Sequence, residues 1–130
     1  MSRQLVSSNT PGERLANFSR AVRVGDMVFV SGTTASDDSG ATQHPGDADA
    51  QTIYVLGKIE SALQEAGATL ADVVRTRVFV RNIEDSEAVA RAHGSIFADI
   101  RPANTLLRGE PIDSEMLVEV EVDAVISPGQ

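Results

Sequence analysis

Three features of this sequence predict an α+β fold. Two-residue alternation of apolar and polar positions runs through 21–32, 73–81 and 116–126; helical spacing of apolar positions fills 47–66 and 85–99; and turn residues separate the two patterns. A chain of 130 residues is long enough for one core and too short for two, so residues 1–130 read as a single domain. Two helices are expected to cover one face of one mixed sheet.

In chain order, 21–32 (AVRVGDMVFVSG) holds two alternating runs around Gly25-Asp26, the signature of a tight hairpin. The stretch 33–46 is rich in Ser, Thr, Asp and Gly and reads as a surface connection. Asp47 is a good N-cap for a helix with apolar positions Ile53, Leu56, Ile59, Leu63 and Ala66, which Gly67 stops. A strand follows over 73–81, with Val74, Thr76, Val78 and Val80 on one face and Arg75, Arg77 and Arg81 on the other. The second helix, 85–99, carries Val89, Ala92, His93, Ile96 and Phe97 along its apolar stripe. Arg101-Pro102 ends it, 103–108 forms a short strand, and 116–126 forms the last one.

That last strand alternates strictly: Met116, Val118, Val120, Val122, Ala124 and Ile126 face the core, and Glu119, Glu121 and Asp123 face away. Carboxylates about 7 Å apart on one face raise each other's pKa unless something answers them. The arginine face of 73–81 is the expected answer, each opposed pair contributing roughly 0.2 to 1 kcal/mol. The same pairing also suits a charge-compensated face with no chemistry at all. Two helices cover only one face of the sheet, so a homo-oligomer with any site between subunits is expected.

Composition excludes several classes. No apolar run approaches the roughly 20 residues that span a bilayer, and residues 1–15 hold no apolar signal segment. There is no cysteine, which removes disulfide and thiolate chemistry, so a cytoplasmic location is expected. A formal net charge of -8 opposes binding to a phosphate backbone, and nucleic acid is not an expected partner. His93 has no second His or Cys at ligand spacing, so neither a metal site nor a cofactor is expected. On a buried helix face a lone histidine reads first as a hydrogen-bonded core residue.

Several segments in this order and spacing resemble the reactive intermediate deaminase (Rid, or YjgF) family: GDMVFVSG (25–32), LQEAGATLADVVRTRVFV (63–80), RAHGSIF (91–97), Pro102-Ala103, and LVEVEVDAV (117–125). The resemblance covers Phe18 to Ile126. It implies a chorismate-mutase-like fold, a homotrimer, and clefts between subunits that hydrolyse small enamines and imines such as 2-aminoacrylate to keto acids and ammonia. It further implies that Glu119 positions the attacking water and that the backbone of Ser31 and Gly32 lines the cleft. The family's cleft tyrosine falls on Phe18. The arginine that clamps the substrate carboxylate falls on Asn104, and the residue two positions on, often cysteine, is Leu106. A helix asparagine becomes Ala90, and His93 takes an aromatic position. The chain therefore looks like an arginine-lacking branch, because a neutral Asn cannot replace a bidentate Arg–carboxylate pair.

The implied substrate is a small molecule bearing a carboxylate. In a regular strand residues 104, 106 and 108 share a face, which makes Arg108 a candidate charge partner for it. Four residues span about 13 Å, about twice the reach of an arginine, so such an anion would sit further along the cleft than in the archetype. The alternative reading has Arg108 facing solvent or paired with Glu110.

Overall fold

The computed structural model describes residues 2–127. Its strands are β1 (Arg3–Val6), β2 (Ala21–Val24), β3 (Met27–Thr33), β4 (Val73–Val80), β5 (Ala103–Arg108) and β6 (Val118–Val125); its helices are α1 (Pro11–Ala16), α2 (Ala48–Glu65) and α3 (Ser86–Ile96). The six strands form one sheet in the order β1-β2-β3-β6-β4-β5. β4 and β5 are parallel, joined by α3, and every other pairing is antiparallel. The α+β single-domain reading with one mixed sheet therefore holds.

The core lies between the sheet and its two long helices. Val118, Val120, Val122 and Ala124 of β6 are buried, as are Val55, Leu56, Ile59 and Leu63 of α2, which packs on β3 and β6 and beside α3. Each such Leu or Ile stabilises the fold by about 1.5–3 kcal/mol. Asp47 caps α2 by accepting from the Ala50 amide at 3.2 Å, and Gly67 (φ 87°) ends it in the left-handed conformation that glycine adopts freely. In the hairpin, Gly25 (φ 60°) takes the first turn position.

Three positions depart from simple periodicity. Ile53 is 43% exposed: the buried stripe of α2 runs through Ala48, Thr52, Val55, Leu56, Ile59, Ala62 and Leu63, and Ile53 falls at its margin, facing the groove toward α3. Val74 is exposed because the register against β6 shifts between Val73 and Arg75, so that Val73 takes the buried place. Arg81 lies beyond β4 and does not join the arginine face. Its guanidinium donates to the carbonyls of Met116, Pro111 and Asp113, tying the 109–116 segment to the sheet.

Two N-terminal elements add to the expected set. β1 extends the sheet beyond β2, and α1 starts with a capping box in which Thr10 and Glu13 satisfy each other's backbone amides, with Pro11 at the first turn.

Gln51 is fully buried on α2 and bridges to the chain entering β6: its Oε1 accepts from the Leu117 amide at 2.8 Å and its Nε2 donates to the Glu115 carbonyl at 3.1 Å. Gln51→Leu keeps the bulk but strands both backbone groups, an expected cost of about 1–3 kcal/mol. Chemical denaturation measures it; an unchanged midpoint would show that the bridge contributes nothing.

Candidate functional site

Glu119 owes its character to strand register. Across β4 and β6, Asp123 lies opposite Arg75, Glu121 opposite Arg77, and Glu119 opposite Phe79. Arg77 reaches both Glu121 and Asp123 at 3.3 Å, and Arg75 reaches Asp123 at 3.9 Å. Two of the three carboxylates are thus answered, and Glu119, among the described residues, has no ion-pair partner. Burial pushes its carboxyl above the usual range, Glu121 adds to the rise, and Arg20 opposes it in part.

The second determinant is a bulge in β3. Val30 pairs with Val122 and Thr33 with Val120, so Ser31 and Gly32 together face the single intervening residue. A Cβ at Gly32 would overlap Glu119 Oε2, so the carboxylate rests on a backbone that must lack a side chain.

Arg20 holds this bulge from behind. Its Nη1 donates to the Gly32 carbonyl at 2.7 Å and to Thr33 Oγ1 at 3.1 Å, and its Nη2 pairs with Glu13 Oε2 at 3.4 Å. Burial tends to raise the Glu13 carboxyl, but hydrogen bonds from Ser8 and Thr10, with the Arg20 charge, outweigh it and hold the group at about 2. The Arg20 guanidinium also lies 5.4 Å from the centroid of the Phe18 ring.

Phe18, Arg20, Gly32, Lys58 and Glu119 line one cavity of about 510 Å³, with Thr10–Gly12 and Pro111–Asp113 along its other sides. Lys58 reaches it from α2, with Nζ donating to the carbonyls of Thr34 at 2.9 Å and Ser36 at 2.7 Å. Ser31 sits in the bulge with its hydroxyl turned to the Ser19 carbonyl at 2.7 Å, outside the cavity wall.

Asn104 and Leu106 lie elsewhere. They pair with Thr76 and Val78 on the helix-covered face and line a smaller cavity of about 180 Å³ with Val89, Ala90 and His93. Asn104 Nδ2 donates to Thr76 Oγ1 at 2.8 Å, and Thr76 Oγ1 lies 2.9 Å from His93 Nε2. Burial lowers the His93 pKa, and its ring lies 4.7 Å from that of Phe97. Arg108 lines neither cavity; it is exposed, with Nη2 3.9 Å from Glu110. One chain therefore brings Phe18, Gly32 and Glu119 together and holds Asn104 and Leu106 in a separate pocket.

The residues that sequence reasoning missed are Arg20, Glu13, Lys58 and Thr76. Two had visible signals: Thr10-Pro11-Gly12-Glu13 spells a capping box, and Lys58 is the only lysine beside ten arginines. Nothing local marks Arg20 or Thr76, whose roles arise from contacts across the fold.

The endoribonuclease L-PSP family model matches residues 9–126. A Streptomyces coelicolor protein, SCO2049, is 42% identical over 92% of this chain and 89% of its own length. The 3-aminoacrylate deaminase RutC of Acinetobacter baylyi is 32% identical over 82% of this chain and 84% of its own length. Among solved structures, Rv2704 of Mycobacterium tuberculosis, a member of the YjgF/YER057c/UK114 family, superposes with a TM-score of 0.86 at 44% identity, covering 96% of this chain and all of that one. Similarity of this extent in sequence and fold leaves one assignment: the chain belongs to the YjgF (Rid) family described by the endoribonuclease L-PSP model.

Proposed function

We propose that this protein hydrolyses a small imine or enamine bearing a carboxylate, with Glu119 as the general base. The observation that carries this reading is an unpaired carboxyl, raised by burial, resting on a glycine bulge beside a cavity of substrate size. The likeness to a 3-aminoacrylate deaminase supports the reaction class. An enamine becomes an imine when its carbon takes a proton and its nitrogen gives one up. Glu119 then accepts a proton from water as the oxygen bonds to the imine carbon, the C=N π pair moves to nitrogen, and Glu119 passes that proton to the nitrogen. The proton of the new hydroxyl follows to the nitrogen as the C=O bond forms and the C–N bond breaks, releasing ammonia. The sum is imine plus water giving carbonyl plus ammonia, with Glu119 returned to its ionised form and no cofactor consumed.

The acidic chain disfavours the ribonuclease activity in the family model's name, since a net charge of -8 repels a phosphate backbone. One observation favours a second reading, a non-catalytic metabolite-binding protein using the same cleft: Asn104 stands where the resemblance expects a carboxylate-clamping arginine.

A homotrimer with clefts between subunits fits the separation of the two pockets. It would set the Asn104 and Leu106 wall of one subunit against the Phe18, Gly32 and Glu119 wall of the next. The sheet face away from the helices exposes Phe29 (42%) and Leu107 (45%) beside the Arg77 cluster, apolar surface that a subunit contact would cover. Light scattering should give three times the 13.8 kDa of one chain; a monomer at micromolar concentration would remove the inter-subunit site.

Ammonia release from 2- or 3-aminoacrylate generated in the cuvette tests the chemistry. Glu119→Gln should slow the reaction by about 10²–10⁴ and Glu121→Gln by only a few-fold; the reverse ranking would move the base elsewhere, and no release even by the unmodified protein would leave the binding-protein reading. The base must be ionised and its pKa is raised, so the rate should fall with decreasing pH through a midpoint above the ordinary carboxylate range. A midpoint at or below that range would contradict the assignment.

Gly32→Ala offers an independent check, because the new methyl must displace the Glu119 carboxylate. The expected result is loss of activity comparable to Glu119→Gln, with an unfolding midpoint close to that of the unmodified chain. Full activity would mean that the seat on Gly32 is irrelevant to the chemistry.

A further inference from the structure

The cavity that holds Glu119 has a cationic end, and its charges are not matched. Lys58 is half-buried there, and its ammonium is held by two backbone carbonyls; a third contact, to Ser36 Oγ, is long at 3.4 Å. Carbonyl oxygens orient an ammonium but do not neutralise it, and no carboxylate pairs with Lys58 among the described residues. Arg20 stands on the same cavity wall, 6% exposed, with its Nε lacking a hydrogen-bond partner among the described residues. Glu13, the one carboxylate on Arg20, is already engaged by Ser8 and Thr10. Burial first and the Arg20 charge second pull Lys58 down to about 8, with Asp38, Glu13 and Asp37 offsetting only part of the fall. A buried cation without a counter-charge costs free energy, and an anion entering the cavity recovers it.

Resting on the hydrolytic reading above, we propose that Lys58 is the anion subsite of this protein, taking the carboxylate of the substrate within the same chain and cavity as Glu119 and so replacing a clamp at residue 104. The ammonium proton now shared weakly with Ser36 Oγ turns to the ligand oxygen, and the Ser36 hydroxyl is free to donate alongside it. Arg20, whose Nη atoms are committed to Gly32, Thr33 and Glu13, contributes its field rather than a direct bond. Asn104 then has no charge to meet, consistent with its place in a neutral Asn104–Thr76–His93 chain. Arg108 stays with Glu110 at the sheet edge.

Because Lys58 is the only lysine, protein labelled with ¹³C-lysine reports it by a single side-chain signal. Propionate serves as the carboxylate probe and propionamide as its neutral counterpart. Saturating propionate should move the Lys58 titration to higher pH, since a bound anion favours the charged amine, and propionamide should not. In calorimetry Lys58→Met should weaken propionate binding about tenfold or more, whereas Arg108→Ala should leave it unchanged. A Lys58 titration indifferent to propionate, or propionate affinity lost in Arg108→Ala and kept in Lys58→Met, would overturn the proposal. Glu119→Gln separates it from the hydrolytic reading: that variant should still shift the Lys58 signal with propionate while releasing no ammonia. If Glu119→Gln keeps full turnover, the hydrolytic assignment fails and the anion subsite still stands or falls on the Lys58 signal alone.

Discussion

The pairing of β4 with β6 is the constraint on which the rest of this structure depends. It lies inside the sheet, sets Val78 and Val80 beside Val120 and Val118 on the helix-covered face, and aligns two charged stripes on the other. Because side chains alternate with a period of two, one register decides both faces at once. A slip by one residue would bury the carboxylates under α2 and expose the valines. The ion pairs of Arg75 and Arg77 are partly exposed and individually worth little, about 0–1 kcal/mol. Their value is in specifying the register and in the exception it creates, since Phe79 leaves Glu119 without a partner.

That exception becomes a candidate site through a second device, the β3 bulge. A regular strand would place a side chain against Glu119; two residues in the space of one, the second of them glycine, leave room for the carboxylate. The bulge is fixed by Arg20, whose buried guanidinium bonds to the Gly32 carbonyl and is itself held by Glu13. Glu13 in turn anchors α1 and the strand-to-helix turn before it. The N-terminal segment thus supports the wall on which Glu119 rests.

The two pockets differ in character. One holds an unpaired carboxyl and two cations; the other is small and mostly apolar, with a neutral polar chain at its end. Family membership fixes the architecture, and the residues at each position fix what chemistry that architecture admits. Asn104 bonded to Thr76 is a poor anion site because its amide donates to a hydroxyl and carries no charge.

Much of the fold was legible because it follows from local periodicity. The alternation in 116–126 foretold β6 and its two faces, the Asp47 cap and Gly67 stop bounded α2, and Gly25-Asp26 placed the hairpin. The Thr10-Pro11-Gly12-Glu13 cap is equally local, with Thr10 and Glu13 three residues apart. By itself the sequence determined the α+β class, the acidic and basic stripes, the absence of thiol chemistry and the family pattern, since each depends on composition or on neighbours a few residues apart. Only the tertiary structure decided that Val74 falls in a bulge, that Arg81 binds carbonyls instead of carboxylates, that Arg20 braces Gly32, and that Lys58 shares a cavity with Glu119. The physical reason is that register shifts, buried charge and cavity walls are made by residues far apart in the chain, and no local pattern records which of them will meet.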